Sequence, residues 1–139
     1  MPWAVDTCVL IDVLDDDPDH GRRSAALLSR MLKGGLVICP VTYIELAPAF
    51  NGSSALEEEF LAGVGVDWRQ PWTWQDTVAA HRGWEAHVAG RRARRVPKRP
   101  IADILIGAFA RRFDGLVTRN EGDFRGVFPS LPIAAPSRA

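Results

Sequence analysis

Three short stretches constrain this chain most: "WAVD" (3–6), "LVIC" (36–39) and "GLVT" (115–118). Each is a brief apolar run, and segments with the apolar spacing of helices lie between them. Runs this short and this apolar fit strands buried on both faces, as in a parallel sheet covered by helices. Two lesser strand candidates, "VGVDW" (64–68) and "LPIA" (131–134), complete a sheet of four or five strands. The expected architecture is a three-layer α/β/α domain with a mainly parallel sheet. With 139 residues and no linker or repeat, 1–139 reads as one domain.

Between the strands, "TCVLIDVLDD" (7–16) places Val9, Leu10, Val13 and Leu14 at helical spacing, with Thr7 as N-cap. Residues 19–33 form a second helix stopped by Gly34 and Gly35. "VTYIELAPAF" (41–50) is helical with a kink or end near Pro48, and "SALEEEFLAG" (54–63) is a further helix. A long helix over about 74–95 turns Val78, Trp84 and Val88 inward. The next spans 100–112, with Pro100 in its first turn, and "RNEGDF" (119–124) is a turn or short helical loop.

Seventeen basic and seventeen acidic residues cancel, so whole-chain charge identifies no partner. Their distribution is uneven. "DDDPD" (15–19) and "EEE" (57–59) are acidic, whereas "RRARRVPKR" (91–99) packs six cations into nine residues. That block is either a track for a phosphate backbone or a solvated helix end. Cys8 and Cys39 sit in apolar runs without metal spacing and read as free thiols in a reducing compartment. The N-terminus lacks a basic n-region, and no window approaches a membrane span. A cytoplasmic location, away from membranes, is expected.

The carboxylates carry the chemistry. In right-handed βαβ units each helix starts near the carboxyl ends of the strands, where such sheets bind ligands. Asp6 ends the first strand; Glu45 lies early in the helix after "LVIC"; Asp103 lies in the first turn of the helix before "GLVT"; Asn120 and Asp123 follow that strand. All are expected on one edge. Asp12, about 9 Å along its helix at 1.5 Å per residue, is expected to point away, to solvent. Acids clustered so closely need a cation, and oxygen-only ligation suits Mg²⁺ or Mn²⁺. Taken singly, each acid has another role open to it, at a helix N-terminus or as a cap.

"VDTCVLIDVL", "VTYIELAPAF", "IADILIGAFA" and "LVTRNEGDF", in that order, resemble the four signature segments of PIN-domain ribonucleases. In size and layout the chain is similar to the VapC toxins of toxin–antitoxin pairs. The resemblance implies a metal-dependent endoribonuclease that cuts single-stranded RNA regions, dimerises, and is restrained by a cognate VapB-like antitoxin. It places the family's three acids at Asp6, Glu45 and Asp103, all as metal ligands. The fourth position, often Asp, is Asn120 here. Asp123 either supplies the missing charge to the metal or caps the loop, so one or two ions both remain open. Thr7 and Thr118 match hydroxyl positions that hold water. The implied reaction is in-line attack of water on the phosphodiester, leaving 5′-phosphate and 3′-hydroxyl ends. Arg91, Arg92, Arg94, Arg95, Lys98 and Arg99 would then follow the RNA backbone, with salt-dependent binding.

Rival readings fit less well. A receiver domain needs an acidic pair after the first strand and a late Lys, where this chain has a lone Asp6 and Arg119. A haloacid-dehalogenase phosphatase needs Asp where Cys8 stands, and "DTCVL" lacks the glycines of a dinucleotide fold. Two readings within the family stay open: an RNA-processing nuclease without antitoxin, and a catalytically inactive binding module. Trp3, Trp72, Trp74 and Trp84 serve either a dimer interface or the core.

Overall fold

The computed structural model describes residues 1–94 and 101–136. Five strands pair in the order β3-β2-β1-β4-β5, all parallel: β1 Trp3–Val5, β2 Leu36–Val37, β3 Val66–Asp67, β4 Leu116–Val117 and β5 Ile133–Ala134. Seven α-helices surround them: α1 Thr7–Leu14, α2 Gly21–Met31, α3 Pro40–Glu45, α4 Ser54–Gly63, α5 Trp74–Arg94, α6 Ile101–Ala110 and α7 Glu121–Arg125. The expected three-layer parallel architecture is present.

Alternation along the strands divides the core in two. Ala4, Val37 and Leu116 face one side, with Ile104, Ile106, Phe109, Phe124 and Phe128. Val5, Leu36, Ile38 and Val117 face the other, with Val9, Leu10, Leu28, Leu46 and Leu61. Successive strand residues point to opposite faces, so a two- or three-residue strand buried on both sides must be wholly apolar. That requirement explains the shortness and composition of the three stretches.

Pro48 ends α3 as expected, and the chain continues as a 3₁₀ turn over Ala47–Phe50. The inner face of α5 differs from expectation. Ala79, Ala80, Gly83 and His87 are buried, whereas Val78 and Val88 are half-buried and Trp84 is exposed. The reason is close packing. A Cβ on Gly83 or Gly107 would lie 2.9 or 2.5 Å from the Phe128 ring, so small residues make the slot that ring fills. Apolar size therefore misreports which face is inward. Trp74 is exposed like Trp84, while Trp3 and Trp72 pack against the core.

At the other end of this layer Arg112 bonds both oxygens of buried Asp76, at 2.7 and 2.9 Å. It thereby ties the chain just after α6 to the first turn of α5, so the two helices run antiparallel. No helix among the described residues is long and apolar enough to cross a membrane.

Candidate active site

The order β3-β2-β1-β4-β5 reverses direction between β1 and β4, and in open α/β sheets the crevice at such a switch point is where ligands sit. Asp6 follows β1 and Thr118 follows β4, so both stand at that crevice. The Thr118 hydroxyl donates to Asp6 Oδ2 at 2.7 Å, and its oxygen accepts the Asn120 N–H at 3.0 Å. Asp6 is the N-cap residue of α1, in place of the expected Thr7, but its side chain makes no capping bond. Its carboxylate is committed to the crevice instead.

Burial pushes the Asp6 carboxyl up from its ordinary value. Bonds from Thr118, Cys8 and the Thr7 N–H oppose that shift, and the negative charge of Glu45 adds to it. Glu45 is thus close enough to repel Asp6. It reaches the site through Thr7, whose hydroxyl lies 2.7 Å from Glu45 Oε1. Asp103 occupies the first turn of α6 and is half-buried. Beyond the far end of that helix, the Asp114 N–H bonds Pro2 O at the amino end of the sheet, so Asp103 opens on the carboxyl edge. Asn120 is the exposed N-cap residue of α7 and Asp123 lies exposed in that helix's first turn, where its N–H bonds Asn120 O at 3.0 Å.

Two residues enter the site that sequence reasoning did not put there. Cys8, expected to be an ordinary buried thiol, has its Sγ 3.3 Å from Asp6 Oδ2, and Asn120 Nδ2 approaches that sulfur at 3.7 Å. Burial and then the Asp6 charge push the thiol up to about 12. The second is Thr42, buried 3.1 Å from the Thr7 hydroxyl. A hydroxyl one turn before Glu45 on α3 was the available signal for it.

Asp12 is corrected outright. It is buried and bound by Arg119, the residue after Thr118, so it does not face solvent. Its depth along α1 followed from the helix rise, but the direction of its side chain depends on a partner 107 residues away. Of the basic block, Arg91, Arg92 and Arg94 fall on the last turn of α5, and Arg95, Lys98 and Arg99 lie outside the described residues, as does Pro100, expected in the first turn of the next helix.

The PIN domain profile matches residues 4–127, from β1 to the chain just beyond α7. The chain belongs to the PIN-domain family. The fold of this PIN domain is also similar to the crystal structure of VapBC2 from Rickettsia felis bound to a DNA fragment from their promoter. That match covers 99% of this chain and 100% of the other, with a TM-score of 0.70 and 17% identity. No curated protein matches the sequence.

Among the described residues, no three His, Cys, Asp or Glu side chains stand close enough together to hold a metal ion. The donors nonetheless suit one kind of cation. Two mutually repelling carboxylates with neighbouring hydroxyls offer hard oxygens, and Cys8 stays a protonated thiol. Mg²⁺ and Mn²⁺ accept few protein oxygens and complete their shells with water.

Proposed function

We propose that this PIN domain is a metal-dependent endoribonuclease, the VapC-like toxin of a cytoplasmic toxin–antitoxin pair. It would hydrolyse phosphodiester bonds in single-stranded RNA regions and be held inactive by a VapB-like antitoxin. The observation that carries the reading is the acid pair at the switch point: Asp6 fixed by Thr118, and Glu45 held within repelling distance through Thr7. The family match and the fold shared with a VapBC structure support it.

Asp6, Glu45 and Asp103 would hold Mg²⁺ or Mn²⁺, with Asp123 as a further carboxylate and Asn120 as a neutral oxygen. When bound, the ion supplies charge neutralisation at the phosphodiester and acidifies a coordinated water. Thr118 gives its only hydroxyl hydrogen to Asp6, which keeps Oδ2 at the crevice. Thr7 orients Glu45, whose position on an exposed helix face is otherwise loose. The arginines and lysine of 91–99 form a run of six cations in sequence that suits the RNA backbone, so binding should weaken steeply with salt.

Dimerisation is part of the same reading. An apolar groove of about 470 Å³ between α3, α5 and α6 carries the exposed side chains of Ile44, Trp84 and Ile101, a patch that suits a second copy. One alternative has an observation behind it. Asn120 lacks the acid's charge and turns its amide toward Cys8, as would suit an inactive PIN domain that only binds RNA or protein.

A Mg²⁺ titration with single-stranded RNA decides between them. Cleavage should depend on Mg²⁺, stop with EDTA, vanish in Asp6→Asn and be suppressed by the antitoxin. RNA binding without cleavage at any Mg²⁺ or Mn²⁺ concentration favours the binding module. Cleavage by a chain that has no antitoxin partner favours an RNA-processing nuclease.

A further inference from the structure

We propose that Thr42 is a positioning residue for the acid pair, acting through Thr7 on Glu45; the inference rests on the nuclease reading above. Thr7 Oγ1 lies 2.7 Å from Glu45 Oε1 and 3.1 Å from Thr42 Oγ1. A hydroxyl has one hydrogen, and a carboxylate can only accept. Thr7 therefore donates to Glu45, and Thr42 must donate to Thr7. The chain Thr42 to Thr7 to Glu45 runs in one direction, from a fully buried hydroxyl to an exposed carboxylate.

This polarity has consequences. A hydroxyl that accepts a hydrogen bond becomes a stronger donor, and the effect is largest away from water. Thr42, on the inner side of α3, thus strengthens the bond that places Glu45 and fixes the rotation of the Thr7 hydroxyl. Thr42 touches neither substrate nor metal in this account; its effect passes wholly through Thr7. Removing such a supporting partner at metal sites typically costs 10–100-fold in affinity or activity.

The test compares Thr42→Val, which keeps the shape but lacks the hydroxyl, with Thr42→Ser, which keeps the donor. Mn²⁺ affinity is read by electron paramagnetic resonance, alongside steady-state RNA cleavage and thermal melts in EDTA. Thr42→Val should bind Mn²⁺ about tenfold or more weakly and lose kcat with KM for RNA little changed, whereas Thr42→Ser should recover most of both. The double variant Thr7→Val/Thr42→Val should be no worse than Thr7→Val alone, because the chain passes through Thr7. Should Thr42→Val melt below the assay temperature, Thr42→Ala carries the same comparison.

Mn²⁺ affinity like the parent's in the Val variant, or a Ser variant as impaired as Val, overturns the role of Thr42 while the parent's cleavage leaves the nuclease reading intact. A parent that neither binds Mn²⁺ nor cuts RNA overturns the nuclease reading itself, and the role of Thr42 with it.

Discussion

Arg119 holds Asp12 by two hydrogen bonds, Nε to Oδ2 at 2.7 Å and Nη2 to Oδ1 at 3.1 Å. Asp12 lies one helical turn beyond Cys8 on α1, and Arg119 sits between Thr118 and Asn120. The pair therefore joins the helix capped by Asp6 to the turn that leads through Asn120 into α7 and Asp123. The bond to Asp12 raises the already high pKa of the Arg119 guanidinium, so Arg119 enters the pair as a cation.

The two ends of this pair are unequally buried: the Asp12 side chain is 5% exposed and the Arg119 side chain 35%. Removing Arg119 strands a buried carboxylate, whereas removing Asp12 leaves a guanidinium that can still reach water. Arg119→Met should cost about 2–4 kcal/mol, and Asp12→Asn only about 1 kcal/mol after allowance for solvent screening. Urea denaturation of both variants checks the asymmetry. Equal losses would mean that the pair is no more than a surface contact.

Asp103 allows a test of the acid cluster without RNA. If it faces the same ion as Asp6 and Glu45, the metal-free protein holds three repelling charges, and Asp103→Asn should melt no lower than the parent in EDTA. Mg²⁺ should raise the melting temperature of the parent by mass action and that of the variant much less. If Asp103 serves only the N-terminus of α6, its loss should cost a few tenths to about 1 kcal/mol at any metal concentration. Melts of both proteins with EDTA and with Mg²⁺ separate these outcomes.

Much of this geometry was legible in the chain. Asp6 and Asn120 follow strands that had to be apolar on both faces, and Glu45 and Asp103 lie on the helix after β2 and the helix before β4, so topology alone assigns them to one edge. Long-range partners were not legible. Nothing near Asp12 announces Arg119, and the contact of Thr42 with Thr7 appears only when α1 and α3 meet. Cys8 is the free thiol expected, but its place beside Asp6 was not legible, because a thiol in an apolar run is usually plain core, whereas here the run is the first turn of the helix that leaves the site. The α5 face was missed because tight helix contacts select small residues over large apolar ones.

Cys8 should be nearly inert to alkylation. With its thiol pushed up to about 12 by burial and then by the Asp6 charge, it carries very little thiolate at pH 8. Iodoacetamide at pH 8 should label the Cys8 peptide far more slowly in native protein than in urea, as read by mass spectrometry. Asp6→Asn removes the second cause and should speed native labelling. Rapid labelling of the native parent would place Cys8 in an environment unlike the one described.

Glu57 offers a gain in stability. It is only 2% exposed, in the α4 turn after the Ser53 cap, and its Oε2 has no hydrogen-bond partner. Burial, and then the charge of Glu58, push its carboxyl up. For an acid with a raised folded pKa, no stability is lost below the unfolded value of about 4.3, where both states are protonated. Stability falls as pH rises through the higher folded value, because the folded state resists ionisation. Glu57→Leu removes both the ionisation and the unpaired oxygen beside buried Leu61, one turn further along α4. It should stabilise the fold by about 1–2 kcal/mol at pH 7, the order of an unsatisfied buried polar group, and by less near pH 4. Glu57→Gln cannot ionise but keeps a polar head, so its gain at pH 7 should be smaller. Urea midpoints for the three proteins at pH 4 and pH 7 measure this directly. A leucine variant less stable than the parent at pH 7 would mean that the Glu57 carboxylate makes a favourable interaction in the folded protein.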